Sequence, residues 1–540
     1  MRSTVLRSGA VLAAVALSLT AAPALAHEGG GDSPTNVRAL QVATEGEANN
    51  MSFVANLQYE QATTDTDGDG ELDPVNQNGS DVEFITVGKK EYALAGTLRK
   101  GLRIIDVTDP AAPRQAAHYD CPLYQGDVQV WENGGRAYVA YTADSAFDSG
   151  GVKASTSQCG RDLADDFAAQ GIDPARALGT VIADISNPRK PRTVSFLSVP
   201  RGSHNMTIHP SGDYLYNSNS DLATSTDPTI EVWDVSDVQS PAKVHTLHLP
   251  VVPTSLGSES HDVTFDADGD RAYSAAISQT LVLDTTNPAN PSILSQIIDP
   301  SINVSHQADP VTLTDADGNE RELLVITDEL AGATSTYTCP GGGLHVYDIT
   351  DDNALAPVKV GAWFIDHVNA PESRCTSHVL RIYPEQEMLT IAWYGQGVRV
   401  LDISGLADVA ALPAAVAFGD GVGMTEVGSY VMPDADTWSF KTNKIAADGS
   451  FYGYGNDMVR GFDVFHYDGT GIDREVPPLV PTSLLTDAEL IDAGVTEGLG
   501  GVVASPEPVA EPTSIGLPAS GLTLGVGLVA AVGLRRLRRG

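Results

Sequence analysis

The sequence predicts an all-β protein, a seven-bladed β-propeller with two loop insertions on one face. A phrase that begins with Ser-His restarts four times, at Ser203, Ser260, Ser305 and Ser377. An apolar run that ends in Asp and a turn recurs six times, from residues 101, 179, 229, 279, 343 and 397, with a degenerate seventh copy from 458. Self-similarity at a period of about 45–70 residues indicates stacked supersecondary units. Seven such units of four short strands each make a seven-bladed propeller.

The recurring apolar run carries a family resemblance. Its copies include GLRIIDVTDPAAP from Gly101, TIEVWDVSDVQSP from Thr229 and GLHVYDITDDNALAP from Gly343. These phrases resemble the LVIVD repeat of bacterial surface proteins, and the resemblance extends from Asp81 to Asp468. It implies a β-propeller that is displayed at the cell surface.

Residues 1–26 have the features of a secretory signal peptide. Two arginines precede an apolar run from Ala10 to Thr20, and Ala24-Leu25-Ala26 is a small-residue cleavage site. We therefore expect a secreted protein in which residues 27–50 form a flexible N-terminal segment.

The propeller is expected to span residues 51–475. The run that starts at Ser52 has no partner strands of its own and matches the outer-strand position of a blade. We expect it to complete the last blade and close the ring, because closure removes the open sheet edges. The innermost strands of the seven blades are expected to begin near Asp81, Asp127, His204, His261, His306, His378 and Trp438.

An acidic loop at residues 65–76 resembles an EF-hand or thrombospondin-type calcium loop. Its carboxylates at positions 1, 3, 5 and 9 are Asp65, Asp67, Asp69 and Asp73. Position 12 is Asn76 instead of the bidentate Glu, which lowers the expected affinity. The resemblance implies a weak calcium site, and a plain acidic turn is the alternative.

Two insertions interrupt the repeat, Asp144–Leu178 in blade two and Leu330–Gly343 in blade five, each between the second and third strands. A helix is expected near residues 162–170 of the first. In a propeller such loops lie on the same face as the loops that lead into each blade.

The four cysteines of this exported chain indicate two disulfides. The pairs Cys121–Cys159 and Cys339–Cys375 would each staple one insertion to the same face. The other connectivities would have to bridge distant blades, which disulfide geometry disfavours.

The repeated histidines are the candidate functional residues. Each heads the innermost strand of one of four consecutive blades, so we expect them on one side of the channel mouth: His204, His261, His306 and His378. Neutral imidazole suits copper, iron, zinc or nickel, and Glu329 at the end of a second strand is a further candidate ligand. Asp127, Asp262 and Asp309 are additional candidates. The alternative is that each histidine only hydrogen-bonds the backbone of a neighbouring blade.

The C-terminal region predicts attachment to the cell wall. Residues 476–516 are rich in Pro and Val and are expected to form a wall-spanning linker, with a short helix around 486–493. In residues 517–540, an apolar run and an Arg-rich end follow a pentapeptide, and together they resemble a Gram-positive sortase sorting signal: Leu517, Pro518, Ala519, Ser520 and Gly521.

The sorting-signal resemblance implies that sortase cleaves before Gly521 and joins the chain to peptidoglycan. Contact of the apolar run with the membrane would then be transient. The alternatives are an exported tag of the kind that contains Pro506-Glu507-Pro508, and a plain membrane anchor that holds the protein on the extracellular side.

Composition excludes one class of partner. The chain has 70 acidic and 32 basic residues, and removal of the two terminal signals takes away six arginines and no acids, which leaves a net charge of −44. This charge excludes nucleic acid as a partner and disfavours anionic lipid.

Two functions stay open on the sequence. One is a wall-anchored propeller that binds a protein, glycan or small-molecule ligand at its disulfide-stapled face. The other is an extracellular oxidoreductase that uses copper or iron at the histidine cluster. The sequence contains no nucleophile elbow, phosphate loop or dinucleotide fingerprint, so it does not decide whether the protein is an enzyme.

Overall fold

The structure, a computed structural model, describes residues 43–61, 63, 75–253, 256–330, 339–366, 374–410 and 414–499. The signal peptide, the loop aspartates Asp65, Asp67, Asp69 and Asp73, and the sorting signal at 517–521 lie outside the described residues and stay predictions. Within the described ranges, no helix is both long and apolar enough to cross a membrane.

Seven four-stranded antiparallel blades surround a central channel, which confirms the predicted propeller. Two strands precede the first blade, β1 (Glu47–Asn49) and β2 (Met51–Leu57). Blade one contains β3 (Gly79–Val87), β4 (Lys90–Thr97), β5 (Leu102–Asp106) and β6 (Arg114–Tyr119). Blade two contains β7 (Gln125–Asn133), β8 (Arg136–Ala143), β9 (Gly179–Asp184) and β10 (Arg192–Ser198). Blade three contains β11 (Asn205–Ile208), β12 (Tyr214–Ser218), β13 (Thr229–Asp234) and β14 (Ala242–His248).

The remaining blades repeat this order from the channel outward. Blade four contains β15 (Asp262–Phe265), β16 (Arg271–Ala275), β17 (Thr280–Asp284) and β18 (Ser292–Ile297). Blade five contains β19 (Ser305–Thr314), β20 (Glu320–Asp328), β21 (Leu344–Asp348) and β22 (Val358–Phe364). Blade six contains β23 (Leu380–Tyr383), β24 (Met388–Ala392), β25 (Val398–Asp402) and, after β26 (Ala415–Phe418) and β27 (Asp420–Gly421), β28 (Met424–Val431). Blade seven contains β29 (Thr437–Lys441), β30 (Phe451–Asp457) and β31 (Gly461–Tyr467).

The N-terminal strand β2 closes the ring as predicted. It is the fourth strand of blade seven and pairs with β31 in antiparallel register from Met51 opposite Tyr467 to Leu57 opposite Phe462. The expected flexible segment 27–50 is wrong for its last part, because β1 pairs with residues 429–431 of blade six. Its backbone groups satisfy the exposed edge of β28, which keeps an otherwise polar segment ordered.

The repeated Asp that ends the third strand of blades one to six stabilises the turn that follows it. In blade one, Asp106 Oδ1 accepts a hydrogen bond of 3.1 Å from the N–H of Thr108. The same bond to the residue two positions on recurs in five further blades, at Asp184, Asp234, Asp284, Asp348 and Asp402. These Asx turns explain why the repeat needs Asp at this position. The apolar residues before the Asp pack between adjacent blades and form the core.

Both insertions lie where the repeat places them, and the two disulfides pair as expected. The blade-two insertion contains α1 (Gln158–Asp162) and α2 (Ala164–Gln170), and Gly171 ends α2 in the left-handed conformation that glycine permits. Cys121–Cys159 joins α1 to the loop that leads into blade two, and Cys339–Cys375 joins the blade-five insertion to the loop that leads into blade six.

Residues 476–499 are not a linker but a segment packed on the propeller. The short helix α3 (Asp487–Asp492) begins with a capping box between Thr486 and Glu489. Leu485 and Leu490 are buried against blades one and two. The Pro-rich composition led to the linker prediction, but these two leucines bury enough apolar surface to hold the segment. Residues 500–516 lie outside the described residues.

Candidate metal centre at the channel mouth

The Ser-His phrase places four histidines at one depth in the channel. In three of the four blades, the backbone N–H of the histidine donates to the carbonyl of the last residue of the second strand. The distances are 2.9 Å for His204, 2.7 Å for His261 and 3.1 Å for His378. His306 lies at the same position, as the second residue of β19. The serine before each histidine hydrogen-bonds residues of the preceding blade or of the strand alongside, as Ser305 does with Thr280 at 2.7 Å. The phrase therefore fixes blade docking and histidine position together.

The four imidazole rings form a continuous row. Ring centroids of His204 and His261 are 4.3 Å apart, those of His261 and His306 are 4.2 Å apart, and those of His306 and His378 are 4.2 Å apart. The Nε2 atoms of His204 and His261 are separated by 2.9 Å. All four side chains are buried. The row covers blades three to six, so the cluster is one-sided.

The two ends of the histidine row are held by their Nδ1 atoms. The carbonyl of Trp438 accepts from His378 Nδ1 at 2.6 Å, which leaves Nε2 of a neutral ring as an acceptor. At the other end, the Asp144 carboxylate lies 3.0 Å from His204 Nδ1. Burial lowers the pKa of His204, but the charge and hydrogen bond of Asp144 outweigh burial and raise it. A carboxylate behind an imidazole is the usual support of a metal-binding histidine.

Glu329 lies between the last two histidines. Its carboxylate oxygens are 3.9 Å from His306 Nε2 and 3.9 Å from His378 Nε2. The hydroxyl of Tyr394 donates to Glu329 Oε1 at 2.8 Å. Burial and the charge of Glu329 raise the pKa of Tyr394 well above its usual value, so this hydroxyl stays protonated. Ligand atoms of His261, His306 and Glu329 all lie within 4.8 Å of one another.

Aromatic side chains cover the end of the row next to His378. The ring of Tyr394 is 4.5 Å from that of His378, and the ring of Trp438 is 4.6 Å from it. The guanidinium of Arg374 lies 4.5 Å from the Tyr394 ring centroid. Burial among these rings lowers the local dielectric and strengthens every charge interaction at the site.

Sequence reasoning missed Asp144 and Tyr394 as site residues. Asp144 follows β8 directly, Glu329 follows β20 directly, and Tyr394 lies two residues after β24. The shared signal is therefore a polar residue just beyond the second strand of a blade. From the sequence, Asp144 was identified only as the first residue of the predicted insertion.

A cavity of about 270 Å³ lies in the channel beside the histidines. The additional candidates Asp127, Asp262 and Asp309 line this cavity and do not form part of the close triad of His261, His306 and Glu329. Burial and the charge of Asp81 raise the pKa of Asp127 to about 8. Burial, the Asp127 charge and the Asp309 charge raise the pKa of Asp262 well above its usual value.

The facing wall of the cavity carries a buried lysine, Lys441, and a half-buried arginine, Arg381. Lys441 Nζ donates to Asp81 Oδ1 at 2.7 Å and to Glu83 Oε1 at 2.8 Å. Arg381 also donates to Glu83. The cavity therefore has one wall of paired charges and one wall of acidic and amide side chains.

No protein-family model and no curated protein sequence matches this chain. Among solved structures, the periplasmic gluconolactonase of Pseudomonas aeruginosa matches with a TM-score of 0.45 and 11% identity, over 72% of this chain and 99% of that one. A protein from Lactobacillus plantarum matches with a TM-score of 0.44 and 11% identity, over 73% and 97%. A β-propeller domain from Myceliophteria thermophila matches with a TM-score of 0.42 and 9% identity, over 72% and 96%. Likenesses at this level carry no conclusion about activity.

Proposed function

We propose that the channel mouth binds a transition metal ion through the histidine row and Glu329. The observation that carries the proposal is a row of four buried imidazoles, each in contact with the next, with a carboxylate 3.9 Å from two of them. An architectural histidine needs only one hydrogen bond to a neighbouring blade, and that need does not bring four rings together. Four aligned imidazoles supply the nitrogen donors that copper, iron and zinc prefer.

The spacing of the donor atoms supports one metal rather than several. Two ligands about 2.0–2.1 Å from a metal and nearly at right angles to each other are about 2.9 Å apart. The Nε2 atoms of His204 and His261 are hydrogen-bonded at 2.9 Å, so a metal that replaced the shared proton would find these two nitrogens already at that spacing. Asp144 and the Trp438 carbonyl hold the outer nitrogens of the terminal rings and so direct the inner nitrogens toward the shared site.

The donor set favours oxidoreductase chemistry over a purely structural metal. Two histidines and one carboxylate, as in His261, His306 and Glu329, form the ligand set that leaves coordination positions open on iron(II), and all-imidazole sites suit copper. Structural zinc sites are instead closed by four ligands and usually contain cysteine. The adjacent cavity would hold the substrate. We place copper or iron first and zinc second.

A second candidate function is ligand or partner binding at the disulfide-stapled face without a metal. The observation that favours it is that both disulfides fix loops on the face where the histidines lie. A rigid loop surface is the usual way in which a propeller presents a binding site for a protein or glycan. The ligand could then be a protein, a glycan or a small molecule.

The cellular setting of either function rests on the sequence. The signal peptide at 1–26 and the sorting signal at 517–540 support a secreted protein that sortase joins to peptidoglycan. Digestion of the wall with a peptidoglycan hydrolase should release a chain that ends at Ser520. A membrane fraction that retains the intact Arg-rich end would contradict this proposal.

Metal analysis of the secreted protein tests the metal site. Protein covering residues 27–520 should contain about one equivalent of copper or iron after purification without chelators. The quadruple alanine variant of His204, His261, His306 and His378 should lose it. A matched quadruple alanine variant of His118, His245, His248 and His466, which lie outside the cluster, should keep it. A folded, metal-free wild type that takes up no added copper, iron or zinc would contradict the metal site. Ligand or partner binding would then be the remaining proposal.

A further inference from the structure

Acidic side chains outnumber basic ones around the cavity beside the histidines. Among the described residues, five carboxylates line it, and the only lysine and arginine that do so, Lys441 and Arg381, are bonded to Asp81 and Glu83. Within the described part of the chain, no lysine or arginine nitrogen lies within 4.0 Å of the other three carboxylates, those of Asp127, Asp262 and Asp309.

Three acceptor oxygens on neighbouring blades lack a donor. Gln125 Oε1, Asp127 Oδ2 and Asn205 Oδ1 line the cavity, are buried, and have no hydrogen-bond partner among the described residues. Gln125 is 6% exposed and Asp127 is 9% exposed. A buried acceptor without a donor costs free energy, and native proteins rarely leave several together. The unmet need on this wall is for N–H or O–H donors.

The backbone holds one of these acceptors in a strained position. Gln125 has φ of +90°, which an L-residue with a side chain rarely adopts, and Gly126 follows with φ of +66°. Its side-chain nitrogen lies 3.4 Å from His204 Nε2, so its amide links the histidine row to the cavity wall. Such strain is typical of functional sites.

We infer that this cavity binds a small organic cation whose ammonium group lies against Gln125, Asp127 and Asn205. An ammonium offers three donors and no acceptor, which matches these three oxygens. Its charge would lower the raised pKa of Asp127 and so keep that carboxyl ionised. The inference names the ligand class of the cavity in the proposed function, but it does not require a metal at the histidines. A cavity of about 270 Å³ has room for a molecule of a few carbon atoms on either side of an amine.

Calorimetric titration with three four-carbon probes of matched length tests the inference. Putrescine is positively charged, butanediol is neutral and succinate is negatively charged. Putrescine should bind at least tenfold more tightly than butanediol, and succinate should not bind. Asp127→Asn should reduce putrescine affinity at least tenfold, whereas Asp317→Asn, in an exposed hairpin turn, should not change it. Asp262→Asn provides a second variant should Asp127→Asn fail to fold.

The same titration on the quadruple histidine variant separates this inference from the metal proposal. Retained putrescine binding in that metal-free variant would support the cavity inference even if no metal is found in the wild type. Equal binding of putrescine and butanediol, absence of putrescine binding to a folded wild type, or calcium binding that needs Asp127 without a preference for putrescine would each overturn it.

Discussion

At the scale of a residue, the buried charge of Lys441 contributes to the stability of the fold. Its side chain is 6% exposed and bonds to two carboxylates of blade one, Asp81 and Glu83. Burial lowers the pKa of Lys441, but the charges of those carboxylates outweigh it and raise the pKa. The lysine thus carries a positive charge that the first and last blades share, on the innermost strand of the blade that β2 completes.

Removal of that charge should destabilise the fold strongly. Lys441→Met leaves Asp81 buried without a cation, while Glu83 keeps Arg381, and the loss should cost about 3–5 kcal/mol of unfolding free energy. Lys243→Met is the control, because Lys243 is 44% exposed and its bridge to Glu231 should be worth less than about 1 kcal/mol. Urea denaturation measures both. Equal losses in the two variants would contradict the buried-network interpretation.

His345 should make stability depend on pH in blade five. Burial and the charge of Lys359 lower the pKa of His345 to about 4, although the charge of Asp299 partly opposes them. Lys359 Nζ donates to His345 Nδ1 at 3.2 Å. The ring is charged in the unfolded chain below about pH 6.5 but stays neutral in the fold. The unfolded state then binds more protons, so this group removes about 3 kcal/mol of stability as the pH falls from 6.5 to 4.

NMR titration of the His345 ring checks this dependence. The wild-type ring should titrate near pH 4, and Lys359→Met should raise its pKa because it removes the nearby positive charge. A wild-type ring that titrates near its usual value, or no response to Lys359→Met, would show that burial and Lys359 do not act as described.

At the scale of an element, the disulfides should stabilise the insertions independently. Each closes a loop of similar length, with sequence separations of 38 and 36 residues. Loop-closure entropy for such loops gives roughly 3–4 kcal/mol each. The paired variants Cys121→Ala/Cys159→Ala and Cys339→Ala/Cys375→Ala should each lose that amount in chemical denaturation, and non-reducing peptide mapping should find no cross-pairing.

The packed C-terminal segment offers a matched pair of neighbouring residues. Leu490 in α3 is fully buried against blades one and two, and Ile491 beside it is 45% exposed. Leu490→Ala should cost about 2–5 kcal/mol, because it leaves a cavity in that core. Ile491→Ala should change stability by less than about 0.5 kcal/mol. Similar small effects for both would mean that the segment does not stay docked in solution.

At the scale of the whole molecule, the repeat predicts the architecture and the four histidines of the site. The Ser-His phrase predicts four rings at one depth, since a phrase that docks each blade to its neighbour also sets the height of the next residue. The aspartate of the Asx turn predicts the end of each third strand. Closure by the run from Ser52 follows from the need to satisfy both edges of the last blade.

The other half of the site was not predictable, because it is not repeated. Asp144 and Tyr394 lie just beyond second strands, as the predicted Glu329 does, but the three differ in type, so no phrase marks them. The partners of Lys441 lie about 360 residues away in the sequence and meet it only when the ring closes. Composition also misled the prediction for residues 476–499, where two buried leucines outweigh three prolines.

The path of residues 476–499 also has a mechanical consequence. The segment contacts blades six and seven through Pro477 and Leu479, blade one through Leu484, and blade two through Asp492 and Gly494. These contacts are made at turns, mostly those joining first and second strands, at the opposite end of the innermost strands from the histidines. A pulling force applied beyond residue 499 would load these few contacts one after another, while β2 and β31 stay paired along their whole length. The segment would therefore extend before the ring is strained, and the histidines, at the other end of the innermost strands, would stay in place.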